Sequence, residues 1–379
     1  MPRIEKKVKI LFVLPNFDTG GSEKLVFDII KNIDKSKFSP VLCVFFTGKY
    51  EKEFLKLNIP FYKIHSRSIK SKFYTISLLN KIIRDHKIDI VNTHHSSPLI
   101  QGFIPFKIFN NIFWIHTEHT RLDLDPNITL KIIFIQKILL KFVDVSLGIS
   151  DGVCSYFKNE LKVNPKKVIK ILNGVDIKRF SLKNFNKKEF KKKLDITEND
   201  ILIGMFANFR KQKNHENLLK AVRLLINQGI DKFKVILCGD GPRFNEMKHL
   251  SQALNINEYI TFLGARINIP EIMNILDIYC LPSHFEGLPF SLMEAMAAGK
   301  AVIATEVIGN DEIIQANKNG IFVRPNDSTD LATALKTLIQ DSDLRNSLSA
   351  QAQKDALDFS FDLMLNKYED LFVNRFNRK

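Results

Sequence analysis

Cysteine is scarce in this chain. Four are spread over 379 residues, at Cys43, Cys154, Cys238 and Cys280, and no two form a C-x-x-C pair. Three of them, Cys43, Cys238 and Cys280, sit inside apolar, strand-like runs. That excludes a disulfide framework or a cysteine zinc site, and reads as buried, reduced thiols of a cytosolic protein. Long apolar runs are also missing. None reaches the roughly 18 uninterrupted apolar residues that a membrane-spanning helix needs. The nearest, 98–115, is broken by Gln101, Lys107, Asn110 and Asn111. It reads as a core helix followed by a strand, in preference to a membrane-dipping loop. The apolar run at 10–15 is too short for a secretory leader and opens into a polar loop. Neither a 20–50-residue repeat nor a low-complexity segment is visible. What remains is an ordinary globular composition, 45% hydrophobic and 26% charged, with enough chain for two domains.

Charge is plentiful and unevenly placed. The net +15 is nearly all in the first half: residues 1–180 carry 30 basic and 16 acidic side chains, a net +14, and residues 181–379 carry 26 and 25, a net +1. A basic half points to an anionic partner such as a membrane surface, a phosphorylated lipid or nucleic acid. A lysine-rich half that only aids solubility has the same signature.

Short apolar runs alternate with amphipathic stretches. Strands are expected at 8–15, 41–46, 88–93, 113–117 and 145–150, with a helix at 23–33. The polar, lysine- and asparagine-rich segment 178–195 reads as a linker. The pattern then restarts, with strands at 201–206, 234–238, 260–263, 278–282, 301–304 and 320–323 and a helix at 216–228. Such alternation implies α/β architecture, two Rossmann-like, doubly wound parallel-sheet domains facing a central cleft. The expected domains are 1–180 and 181–359, with a last helix in 360–379 packing back on the first.

The most informative stretch is 282–299, PSHFEGLPFSLMEAMAAG. Pro289 suits the start of a helix and Gly299 the left-handed position after its end. Between them lies an apolar helix with one carboxylate, Glu294, and ahead of it a loop with another, Glu286. A helix N-terminus offers N–H groups and a positive dipole end to a diphosphate. Gly287 permits close backbone approach, and a carboxylate in so apolar a helix needs a partner, which a ribose diol would supply. A capped core helix with two solvated glutamates is the plain alternative.

Glu286 and Glu294, enclosing Gly287-Leu288-Pro289, resemble the paired-glutamate motif of retaining glycosyltransferase family 4, also called glycosyl transferases group 1. Other segments agree in order: Gly20-Gly21-Ser22-Glu23 after the first strand, Asn173-Gly174-Val175-Asp176, Gly239-Asp240-Gly241-Pro242, and Asp277–Ser283 entering the glutamate loop. The resemblance covers nearly the whole chain and implies a GT-B hexosyltransferase. It places the donor ribose on Glu294 and the donor sugar's hydroxyls on Glu286. Phosphate or sugar would meet backbone N–H groups at Leu288, Phe290 and Ser291. Gly20 and Gly21 would let first-domain backbone face the diphosphate. Lys213 matches the phosphate-binding lysine. The family's arginine five residues earlier is here Asn208, so either Asn208 or Arg210 takes its place. Arg266 falls where the family meets the nucleobase, and Glu312 where a glutamate shapes the donor pocket.

His119 matches the first-domain histidine near the transferred sugar, with His116 the competing assignment. His94 and His95 end a strand at the same edge and are candidates for acceptor contact. Asp123-Leu124-Asp125 has the D-x-D form that holds a cation in the other glycosyltransferase fold class, but reads here as a turn with helix-capping carboxylates. No metal and no cofactor is expected, the nucleotide-sugar being a co-substrate. The resemblance implies retention, a UDP-sugar donor, and domain closure bringing Gly21 and His119 onto it. The basic half suggests a glycan or lipid-linked acceptor at the inner face of a bacterial cytoplasmic membrane, in surface polysaccharide assembly. A GT-B epimerase is the nearest rival. An NAD-dependent dehydrogenase lacks G-x-G-x-x-G after the first strand. A nucleic-acid binder lacks a binding motif and an aromatic platform.

Overall fold

Two parallel sheets organise the chain in this computed structural model, which describes residues 6–16, 21–48, 51–64, 69–125, 128–182, 185–192, 196–197 and 200–376. The first sheet holds β1 (Val8–Leu14), β2 (Phe38–Val44), β3 (Phe61–Lys63), β4 (Ile90–His94), β5 (Phe113–Glu118), β6 (Val145–Gly148) and β7 (Val168–Lys170), in the order β3-β2-β1-β4-β5-β6-β7. The second holds β8 (Ile201–Phe206), β9 (Phe233–Cys238), β10 (Ile260–Gly264), β11 (Ile278–Leu281), β12 (Ala301–Thr305) and β13 (Ile321–Val323), in the order β10-β9-β8-β11-β12-β13. Two compact units result: Met1–Asn173 with Leu363–Lys379, and Gly174–Asp362.

The central strands are apolar because helices cover both of their faces. In β1, every residue from Ile10 to Leu14 is fully buried. It pairs with β2 from Val8↔Phe38 to Leu14↔Val44 and with β4 from Ile10↔Ile90 to Val13↔Thr93. Strand order reverses between β1 and β4, and in the second sheet between β8 and β11. Loops leaving the carboxyl ends of such neighbours splay apart, and ligands of open α/β sheets bind in that crevice.

Differences from the sequence reading are local. The three-residue strands β3 and β7 were not anticipated. Residues of the expected linker, 178–195, group with the second unit. They include the short helices Ile177–Phe180 and Lys187–Lys192, and Asn274 Nδ2 donates to the Phe180 carbonyl at 2.7 Å. The last helix, Phe361–Phe376, groups with the first unit; its Phe372 sits edge-on to Phe12 and Phe38, at 6.1 and 6.0 Å between ring centres. The stretch 98–115 forms the helix Ser96–Phe103, a π-helical turn Ile104–Phe109 and then β5. It is not wholly core: Ile100, Ile104, Ile108 and Phe109 are exposed. All four cysteines are free and buried, and burial pushes the Cys238 thiol up to about 12.

Candidate active site

In the second unit the loop after β8 and the loop after β11 leave the two strands that flank the switch point. They are laced together. His284 N donates to the Gln212 carbonyl at 2.8 Å, and Gln212 Nε2 donates to the Phe285 carbonyl at 2.8 Å. Beside these bonds Lys213 Nζ donates to Glu286 Oε1 at 2.6 Å and Oε2 at 2.8 Å. The Glu286 side chain is only 5% exposed, while that of Lys213 keeps 21%. An ammonium carries three donors, of which Glu286 engages two. A buried carboxylate thus holds a cation at the mouth of the crevice in fixed orientation.

A third loop closes on this pair. Gly309 has φ +92°, and a Cβ there would lie 2.7 Å from the Gly287 carbonyl oxygen and 3.0 Å from the Glu286 carbonyl carbon. Only glycine permits that approach. It draws the turn carrying the half-buried Glu312 towards the Glu286 loop. On the other side, Gly239 (φ +143°) packs its Cα so close to Ala207 that a Cβ would sit 2.0 Å from the carbonyl oxygen. The Gly239–Pro242 turn therefore supports the loop bearing Asn208, Arg210 and Lys213. Asn208 is half-buried and its carbonyl accepts from Arg210 N at 2.7 Å; Arg210 itself is exposed.

The helix Phe290–Ala297 starts beyond Pro289, which gives no side-chain cap. Its first-turn N–H groups, Phe290 and Ser291 among them, have no acceptor within the helix. Leu288 and Gly287 are buried, Phe290 and Ser291 half-buried, and Glu294 is buried one turn in. Beneath lies a residue that the sequence reading missed, Tyr279. Its hydroxyl donates to the Phe206 carbonyl at 3.2 Å. Burial, with the Glu294 and Glu286 charges adding to it, pushes this phenol far above its ordinary value. Arg266 is exposed just past β10. A polar cavity of about 500 Å³ in the same unit is walled by Lys211, Asn214, Arg243 and His284 among others, and by none of the expected donor residues.

The first unit presents a different edge. Gly21 opens the helix Gly21–Asn32, while Gly20 lies outside the described residues. His94 ends β4, and its Nδ1 lies 2.9 Å from His119 Nε2 with the rings stacked at 5.2 Å. Burial, followed by the neighbouring imidazoles, drives both well below the usual histidine value, so both are neutral near pH 7. His95 tilts against His119 at 4.8 Å and reaches Ser22 Oγ at 2.8 Å. His116 turns the other way, into the core, with Nδ1 3.1 Å from Thr93 Oγ1 and Nε2 3.8 Å from Glu118. Of the two candidates, His119 is therefore the one beside His94 and His95.

Glu118 is the second residue that the sequence reading missed. Fully buried, it accepts from Gln136 Nε2 at 2.9 Å and from the His119 backbone N–H at 3.0 Å, and lies 3.7 Å from His95 Nδ1. Burial alone would raise its carboxyl; His116, His95 and the His119 N–H outweigh it and hold it below the usual range. One signal was available: an acid closing an otherwise buried strand, between two histidines. Asp123 does not cap a helix as expected. It pairs with Arg121 at 2.6 Å within a 3-10 turn, and the next helix, Leu130–Leu139, starts from Thr129. Among the described residues, no three His, Cys, Asp or Glu side chains converge as a metal-ligand set.

Comparison with known proteins gives this geometry a lineage. The family model for glycosyl transferases group 1 matches residues 186–355, and that for Glycosyltransferase Family 4 matches residues 19–179. An Escherichia coli UDP-Gal:alpha-D-GlcNAc-diphosphoundecaprenol alpha-1,3-galactosyltransferase is 26% identical over 303 residues, 78% of each chain. The N-acetyl-alpha-D-glucosaminyl L-malate synthase of Bacillus anthracis is 25% identical over 311 residues, 79% of each. Among solved structures, Anabaena Alr3699/HepE in complex with UDP superposes with a TM-score of 0.86 at 21% identity, over 97% of this chain and 100% of that one. Two parallel α/β units of this topology, matched along most of their length by the two family models, make the chain a glycosyltransferase enzyme of family 4 with the GT-B fold.

Proposed function

We propose that the chain is a retaining glycosyltransferase that moves a sugar from UDP to a glycan or lipid-linked acceptor in bacterial surface polysaccharide assembly, working in the cytoplasm at the inner face of the membrane. The observation that carries the reading is the Lys213–Glu286 pair at the second sheet's switch point. In this reading Lys213 meets the donor diphosphate with the first-turn N–H groups of Phe290 and Ser291, and Arg210 or Asn208 adds to that contact. Glu294 holds the ribose, Arg266 lies by the base, Glu312 shapes the pocket wall, and Glu286 takes the sugar's hydroxyls. As the bond from the anomeric carbon to the diphosphate oxygen breaks, these donors stabilise the growing charge. The acceptor oxygen bonds to the same face of that carbon, and its proton passes to the leaving diphosphate. Neutral His119, held by His94, contacts the reacting sugar, and His95 the acceptor. The galactosyltransferase relative, whose name gives a UDP-sugar donor and a diphospho-undecaprenol acceptor, supports the choice of UDP and of a lipid-linked acceptor.

Two measurements test the proposal. Calorimetry with UDP, GDP, ADP and NAD should give tight binding of UDP alone, weakened roughly tenfold or more by Glu294→Ala. The product made from a UDP-α-sugar should carry an α-linkage by NMR. Tight binding of NAD alone, or a β-linked product, overturns the donor or the retaining assignment.

A further inference from the structure

The first unit displays an apolar face that its own fold leaves uncovered. Along the helix Leu130–Leu139 and just past it, Leu130, Phe134, Ile138 and Phe142 recur every fourth residue. That spacing puts them on one side, and Leu130 is 83% and Phe134 63% exposed. A second stripe, Ile100, Ile104 and Ile108, has the same spacing through the helix Ser96–Phe103 and the π-helical turn, with Ile108 62% exposed. These elements are neighbours: Ser96–Phe103 packs on Leu130–Leu139, and the Phe103 and Phe142 rings lie 5.0 Å apart. The helix Ile69–His86 packs on the helix Ser96–Phe103 and the turn, and adds exposed Phe73 and Tyr74. Scattered exposed apolar residues are normal, but a contiguous set of this kind marks a surface that meets something.

Charge decides what it meets. Residues 96–112 and 128–143 contain four lysines, Lys107, Lys131, Lys137 and Lys141, and no aspartate or glutamate. Lys107 is paired with Asp144 at 2.5 Å, while Lys131 and Lys141 are exposed beside the stripes. A second copy of this chain would set lysine against lysine across a two-fold interface. An anionic bilayer accepts both features, the side chains entering the acyl boundary and the ammonium groups staying among the headgroups. No helix among the described residues is long and apolar enough to cross a membrane, so the contact is one of lying on the surface.

We infer that the face formed by Phe73, Ile104, Ile108, Leu130 and Phe134, flanked by Lys131 and Lys141, docks the protein on an anionic lipid bilayer. This deepens the proposed site of action at a membrane, but it is tested without sugar transfer. The assay is co-sedimentation with vesicles of equal phosphatidylglycerol and phosphatidylcholine, against phosphatidylcholine alone, at low and high salt. The wild type should bind the anionic vesicles and release at high salt. Leu130→Asp with Phe134→Asp should lower partitioning roughly tenfold or more. Lys131→Gln with Lys141→Gln should lower it roughly tenfold and remove the preference for anionic lipid. Both variants replace exposed side chains, and an unchanged melting temperature checks the fold. Undiminished binding by the double aspartate variant overturns the inference. So does a wild-type dimer that the aspartates dissociate and that ignores vesicles. Vesicle binding through this face by a chain that does not bind UDP would leave the inference standing and sink the donor reading.

Discussion

The two units repeat one topology and fill its crevice with opposite chemistry. In the second, loops from β8 and β11 meet through a lysine–glutamate pair and an uncapped helix start, so the crevice presents one oriented ammonium and the N–H groups of a helix start. In the first, the corresponding edge after β4 and β5 holds the neutral imidazoles of His94 and His119 next to one buried carboxylate, Glu118. A shared strand order therefore says where a ligand goes, and the side chains at the strand ends say which. The second edge holds an ammonium in one orientation, and the first holds an imidazole, His119, that stays neutral.

The largest effect is expected at Glu286. Glu286→Ala should cut sugar transfer roughly 1000-fold or more, removing the sugar contact and leaving Lys213 unoriented, with the melting temperature showing that the fold survives. Next is His119→Ala, which should lower turnover roughly 100-fold while UDP affinity on the second unit stays unchanged. A fall in UDP affinity with His119→Ala would blur the division between the units. Third, Glu118→Ala should destabilise the protein by about 3 kcal/mol in denaturant unfolding, because buried partners lose the carboxylate they surround, again without weakening UDP. The smallest effect is on pH dependence. His94 and His119 are held well below their ordinary value of 6.5. Below that pH the unfolded chain takes up protons that the folded chain refuses. Stability should then be flat above about pH 6.5 and fall as the pH drops, by up to roughly 1.4 kcal/mol per unit for each histidine. His94→Asn should reduce that slope. His215 in the second unit, stacked on Phe209 at 4.0 Å and lowered to about 3, first by burial and then by Lys213 and Arg243, adds a similar share.

Much of this was legible in the sequence because buried parallel strands announce themselves as continuous apolar runs. β1 and β8 are examples, and so is the helix Phe290–Ala297 between Pro289 and Gly299. Strands β3 and β7 were not legible: each has three residues, ends in lysine and is at most half-buried, so neither carries an apolar run. Glu286 and Lys213 could each be singled out, but 73 residues separate them, and only the lacing by Gln212 shows that they touch. Glu118 closes an apolar strand between two histidines, a signal that marks the position but not its buried partner Gln136, which lies 18 residues on. The exposed stripe at 100–108 reads as core, because periodicity marks an apolar face without saying what covers it.

UDP affinity measured by calorimetry for the wild type, Lys213→Ala and His119→Ala tests whether the donor sits on the second unit. Lys213→Ala should lose roughly tenfold or more and His119→Ala nothing. Equal losses in both, or a loss confined to His119→Ala, would contradict the assignment of the donor to the second unit.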